Sequence, residues 1–166
     1  MGLDMHLYER TYCPSVYVGR KKDKQTNFTT KVWNYQGESK KVKFKDVAYI
    51  TCRKAYWRKA NAIHQFFLDK CRGNFDESDC NGRDLYVEKS DLKELKQICE
   101  ELIKLKGKTF VKKAKELLPT ADGFFWGLTE YNQYYKQNLK RTIKVLNGLN
   151  LEDGDWTVDY IYNADW

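Results

Sequence analysis

The apolar residues of this chain change period twice, and that change limits the folds open to it. At the start, Leu3, Met5 and Leu7 alternate with Asp4, His6 and Tyr8, the two-residue repeat of a half-buried strand. Near Thr51 the spacing lengthens to three or four residues and stays there for about a hundred residues, the repeat of amphipathic helices. It then reverts, because Trp156, Val158, Tyr160 and Tyr162 alternate again. Strands at both ends with helices between them predict an α+β fold. It is a single domain over residues 1–166, an antiparallel sheet with three to four helices packed on one face. Its parts are a basic β-rich stretch (1–50), a helical stretch (51–150) and a C-terminal strand (155–163).

Within the first part, Val16 to Val18 suit a short strand and Gly19 to Thr30 a polar, basic loop. KVWNY and KVKFKDVAYI flank a turn around Gln36-Gly37-Glu38-Ser39, a hairpin pattern that puts Lys41, Lys43 and Lys45 on one face and Val42, Phe44 and Asp46 on the other. The spacing of Trp57, Ala60, His64, Leu68 and Cys71 predicts a helix over 54–71, starting near Thr51 or Cys52 and ended by Arg72-Gly73-Asn74. Leu85-Tyr86-Val87 suits a strand. Ser90 is the expected cap of a helix with Leu92, Leu95, Ile98, Cys99, Leu102 and Leu105 inward, stopped by Gly107. Phe110 to Leu118 suits a shorter helix halted by Pro119. Thr129 is the expected cap of the last helix, with Tyr131, Tyr135, Leu139, Ile143, Leu146 and Leu149 inward and Gly148 at its end.

The formal charge of +7 over 166 residues is unevenly placed. Residues 1–60 carry 14 Lys and Arg against 5 Asp and Glu, a net of +9, whereas residues 61–166 carry a net of −2. A site for phosphate or another anion is therefore expected in the first third. No apolar run is long enough for a membrane helix, and the first residues lack the basic and apolar regions of a secretory signal, so a cytoplasmic location is expected. Five cysteines, an odd number, fit reduced thiols. With no C-x-x-C pair and only His6 and His64, neither a metal site nor a cofactor is expected.

Three constellations are able to carry chemistry. The first is the basic hairpin region with Arg20, Lys21, Lys22, Lys41, Lys43 and Lys45, suited to nucleic acid or an acidic partner. The plainer explanation is lysine protection of a sheet edge. The second is Tyr56-Trp57-Arg58-Lys59-Ala60-Asn61-Ala62-Ile63-His64. On a helix, an indole, a guanidinium, an amide and an imidazole would lie within about two turns, able to stack a base and grip a phosphate. A core helix with satisfied polar groups explains it equally. His64 is the one helical histidine, and as a general base it would need an orienting carboxylate. The third is Gly123-Phe124-Phe125-Trp126-Gly127, bracketed by glycines before Thr129-Glu130-Tyr131. It suits either a loop where a ligand nears the backbone or a turn followed by core aromatics. Walker, G-x-G-x-x-G, nucleophile-elbow and HExxH motifs are absent from the sequence.

Gly2-Leu3-Asp4-Met5, the run Tyr56 to His64, Leu117-Leu118-Pro119-Thr120 with Gly123 to Gly127, and Thr129-Glu130-Tyr131 resemble a family of small uncharacterised bacteriophage and prophage proteins. The resemblance runs through most of the chain and implies an accessory protein acting in the cytoplasm of a bacterial host. The expected function is binding of a small anionic ligand, a nucleotide first of all, with sequestration of a defence signal as one use. The expected ligand-binding residues are His6, Tyr56, Trp57, Arg58, Asn61, His64, Phe125, Gly127 and Tyr131. The expected walls are the 54–71 helix, the 123–129 loop and the first strand. One alternative is an inhibitor that meets a host nuclease or defence complex through the basic hairpin. Another is a small enzyme acting on a nucleotide through His64, with Cys80.

Overall fold

The alternation read at the two chain ends forms two neighbouring strands, and the rest of the sheet is built around them. The computed structural model describes residues 2–12, 47–70, 80–123 and 125–166 with their side chains, and 29–33, 39–43 and 71 by their backbone. The elements in chain order are β1 (Asp4–Tyr12), β2 (Thr29–Trp33), β3 (Ser39–Lys43), β4 (Tyr49–Arg58), α1 (Asn61–Cys71), β5 (Leu85–Val87), α2 (Lys89–Lys104), α3 (Gly107–Leu117), α4 (Gln133–Leu146) and β6 (Val158–Asp165). Strands β4, β1, β6 and β5 form one antiparallel sheet in that order, and β2 and β3 pair separately as an antiparallel hairpin. The fold is α+β, with its helices on one face of the sheet.

Register explains which face they cover. Met5 lies opposite Trp57 and Ala164, Leu7 opposite Ala55 and Tyr162, and Leu85 opposite Tyr162. All of these side chains are buried. Helix α1 packs beneath them and is apolar nearly all round: Ala62, Ile63, Phe66, Phe67 and Leu68 are buried, as a central helix requires. Helices α2 and α4 close the layer with Leu92, Leu95, Cys99, Leu102, Leu139 and Leu146. At roughly 1.5–3 kcal/mol for each large apolar side chain buried, this layer is the main source of stability.

The other face carries Asp4, His6, Tyr8 and Arg10 from β1, opposite Arg58, Tyr56, Arg53 and Thr51 of β4. None of these is fully buried. Between Leu7 and Tyr8 the register shifts, because Ala55 pairs with Leu7 and Arg53 with Tyr8. Lys54 is thus an extra residue, a β-bulge. It forms a 2.8 Å ion pair with Glu9.

Several expectations need correction. Residues 54–58 are strand, not helix, and α1 begins only at Asn61. Thr51 and Cys52 accordingly lie inside β4. The second hairpin arm ends at Lys43, and Tyr49 and Ile50 belong to β4 in the larger sheet. Ser90 lies inside the first turn of α2, whose cap is Glu88. Gly107 opens α3 instead of stopping α2. The cap of α4 is Asn132, whose side chain accepts from the Tyr134 and Tyr135 N–H groups; Thr129 lies three residues too early. The proposed strand at 16–18, the 72–74 helix stop, Phe124, Arg20, Lys21, Lys22 and Lys45 lie outside the described residues. Among the described residues no helix is long and apolar enough to cross a membrane.

Candidate functional site

The three segments expected to wall a site do meet, through their backbones. The Leu3 N–H donates to the Phe125 carbonyl at 3.1 Å, and the Lys59 N–H donates to the Leu3 carbonyl at 2.8 Å. Asn61 Nδ2 donates to the Leu128 carbonyl at 2.8 Å, and the Tyr134 hydroxyl donates to the Arg58 carbonyl. Lys59 adopts a left-handed conformation, φ 53°, and Gly127 one with φ 96°. A Cβ on Gly127 would sit 2.9 Å from Lys59 Cβ and 3.0 Å from its carbonyl oxygen. The glycine therefore serves the approach of these two backbones. The Tyr131 hydroxyl accepts from the Thr120 N–H at 3.1 Å, which fastens the same loop. The crevice between the start of α1 and residues 128–139 encloses about 10 Å³, about the space of one water. A nucleotide does not enter there.

Three of the expected residues lie inside the protein. Trp57 is buried and its Nε1 donates to Thr142 Oγ1 of α4 at 3.0 Å. Asn61 is buried on the bond just described. His64 is fully buried, with Nδ1 2.6 Å from the Tyr162 hydroxyl. Its ring meets Trp126 and Trp166 edge-on, at 4.4 and 4.8 Å between centroids. Burial pushes its pKa down to about 3. The imidazole is neutral, sealed from solvent and engaged by a phenol, so it does not supply a proton-transfer group to a bound substrate. Cys80 is buried. The Cys99 thiol is pushed up to about 12, chiefly by burial, which makes it inert.

Of the other expected residues, His6, Tyr56 and Arg58 gather on the open face, whereas Phe125, Gly127 and Tyr131 belong to the loop just described. His6 stands between Tyr8 and Tyr56, with ring centroids 5.8 and 5.3 Å away. Its pKa is lowered, first by burial and then by Arg53, against the raising effect of Asp165 and Asp4. The Tyr56 hydroxyl donates to Asp4, and that carboxylate holds the phenol pKa up. Arg58, 60% exposed, approaches Asp4 only to 4.0 Å, a weak surface pair, and also interacts with the Tyr56 hydroxyl, whose pKa it works to lower. Arg141 reaches from α4 to within 5.9 Å of the Tyr56 ring. Arg53 stands opposite Tyr8 and is exposed. His6 Nδ1 and Arg10 Nε are covered and make no hydrogen bond among the described residues.

Farther along the same face, the Arg10 guanidinium lies 4.6 Å from the Tyr49 ring and 5.8 Å from the Tyr86 ring. It donates to the Tyr86 hydroxyl at 2.8 Å and faces Asp84 at 3.8 Å. A shallow depression of about 180 Å³ opens between Tyr8, Arg10, Thr51, Asp84 and Asn163, over Ile161. Tyr8, Arg10, Tyr49, Arg53 and Tyr86 were not singled out from the sequence. The polar side of the first strand, which alternates Asp4, His6 and Tyr8, was the available signal.

In the basic hairpin, the backbone register sets Lys31 opposite Lys41 and Thr29 opposite Lys43. Among the described residues no group of three or more His, Cys, Asp or Glu is placed to hold a metal ion. Comparison with protein-family models, with curated proteins and with solved structures finds no match to this chain.

Proposed function

We propose that this protein binds a nucleotide on the open face of its sheet and acts by holding that ligand, not by transforming it. The observation that carries the reading is the grouping of His6, Tyr8 and Tyr56 rings with Arg53 and Arg58 on a face where none of these side chains is fully buried. Ring faces stack bases, and guanidinium groups take phosphate. The sealed environment of His64 favours holding over turnover. The resemblance to phage and prophage proteins adds the setting: an accessory protein in the cytoplasm of a bacterial host, for which capture of a defence signal nucleotide is one use.

A panel of mono-, di-, tri- and cyclic nucleotides in a thermal-shift assay tests this. A ligand at 100 times its Kd adds about 2.7 kcal/mol, several degrees in Tm. Arg58→Ala and Tyr56→Ala should abolish the gain. Absence of any shift across the panel refutes the reading.

The hairpin supports a second reading, an interaction with an acidic surface of a host nuclease or defence protein. Like charges directly opposite each other across a strand pair are destabilising, and an acidic partner would relieve the Lys31–Lys41 pair. Charge reversal at Lys41, Lys43 and Lys45 should then remove a salt-sensitive association. An unchanged complex would discard that reading.

A further inference from the structure

We propose that the occupant of the open face is single-stranded nucleic acid, with the Arg10–Tyr49–Tyr86 group acting as a second base-stacking platform beyond His6 and Tyr56. The inference rests on the nucleotide reading above and specifies its ligand. His6 and Arg10 are four residues apart on β1, about 13 Å at 3.3 Å per residue, a span that needs more than one nucleoside. The second platform is built like the first, from tyrosines flanking a side chain that itself stacks. Tyr49 is 50% and Tyr86 63% exposed, and Arg10 is fixed beneath them by a hydrogen bond and an ion pair. The depression beside it, about 180 Å³, is smaller than the roughly 300–1,000 Å³ of pockets that enclose a whole ligand. It suits one planar ring whose remainder continues along the surface.

Charge fixes where the phosphates run. Arg53 and Arg58 lie on β4, and among the described residues the acids of this face, apart from Asp4, lie on the other side. Asp159 and Asp165 are on β6, and Asp84 just precedes β5. The backbone of the strand is thereby confined to the β4–β1 half, with bases over β1. Ring stacking needs unpaired bases, which a duplex does not offer. Contacts through ring faces and phosphates are indifferent to the sugar, so RNA and DNA should bind alike.

Fluorescence anisotropy with labelled single strands of two, four and eight nucleotides, in RNA and DNA forms, tests the inference beside competition by mononucleotides. The eight-nucleotide strand should bind at least about a hundredfold more tightly than a mononucleotide. Tyr49→Ala with Tyr86→Ala, both at exposed positions and checked for folding by circular dichroism, should cost about tenfold or more of that gain. A duplex of equal length should bind far less. If mononucleotides bind and added length brings nothing, the inference fails while the nucleotide reading stands. If neither mononucleotide nor strand binds, both fail. If the duplex binds as well as the single strand, the surface is a general polyanion contact and the inference is overturned.

Discussion

The two faces of the four-stranded sheet are made from similar residue types put to opposite uses. Beneath the sheet, Trp57, His64, Tyr160 and Tyr162 are buried and their polar atoms are tied to the protein itself, apart from His64 Nε2. Above it, His6, Tyr8, Tyr56 and Tyr86 keep ring surface exposed beside arginines. The histidines mark the contrast. His64 is locked between two indoles, and His6 stands in a ring cluster at the surface. Neighbours in sequence are thus separated by the plane of the sheet: Trp57 belongs to the core, and Tyr56 and Arg58 to the candidate site. The lesson is that aromatic and polar residues in one run do not make one site; strand parity decides which of them solvent sees.

That contrast is open to attack, beginning with the largest effect. Trp57→Ala should cost about 3–5 kcal/mol of stability in urea denaturation, the usual cost of emptying a large aromatic site. Tyr56→Ala, on the open face, should cost under about 1 kcal/mol. Equal losses would break the distinction between the faces. Next comes acid sensitivity. Unfolded histidine titrates near 6.5 and His64 only near 3, so its neutral burial contributes fully above pH 6.5 and is lost as pH falls toward 3. From pH 7 to pH 5 that is about 2 kcal/mol, at about 1.4 kcal/mol per pH unit. A His64→Gln variant should show a flatter profile in the same window. An unaltered profile would mean that His64 is not sealed as described.

Smaller effects refine the picture where the segments meet. Gly127→Ala should lose about 1–3 kcal/mol through its backbone conformation and the contact with Lys59. Lys59→Gly should gain up to about 1 kcal/mol by relieving the left-handed residue, measured as a shift in denaturation midpoint. The smallest change is expected for Arg58→Ala, within about 0.5 kcal/mol in stability, although it should remove the ligand-induced rise in Tm. A large stability loss there would make Arg58 a structural residue.

The fold class was legible because alternation at both ends and helical spacing in between are strong signals, and α2, α3 and α4 follow their apolar stripes closely. The 54–71 segment was misread for a physical reason. Trp57, Ala60 and His64 all face one core, so their spacing continues across the junction from β4 to α1 as if a single helix ran through it. The junction residue is Lys59, not a glycine, proline or asparagine, so no local residue type announces the break. Of the candidate site, His6, Tyr56 and Arg58 were legible as an aromatic and cationic set. Arg10 and Arg53 were not, because their role depends on which strands become neighbours, and Tyr86 arrives from β5 through β6.

The bulge at Lys54 sets the phase of the edge strand. Tyr49, Thr51 and Arg53 are odd-numbered, whereas Tyr56 and Arg58 are even-numbered, yet all five share the open face. The bulge absorbs one supernumerary residue, so the two halves of β4 keep the same side although the odd–even numbering slips by a step. Removing Lys54 would leave that assignment intact and straighten the strand. Inserting a second residue there would turn either the outer or the inner half over, exchanging Arg53 with Cys52 or Tyr56 with Trp57. Length at this point in the chain therefore governs the chemistry of the surface as strongly as residue identity does.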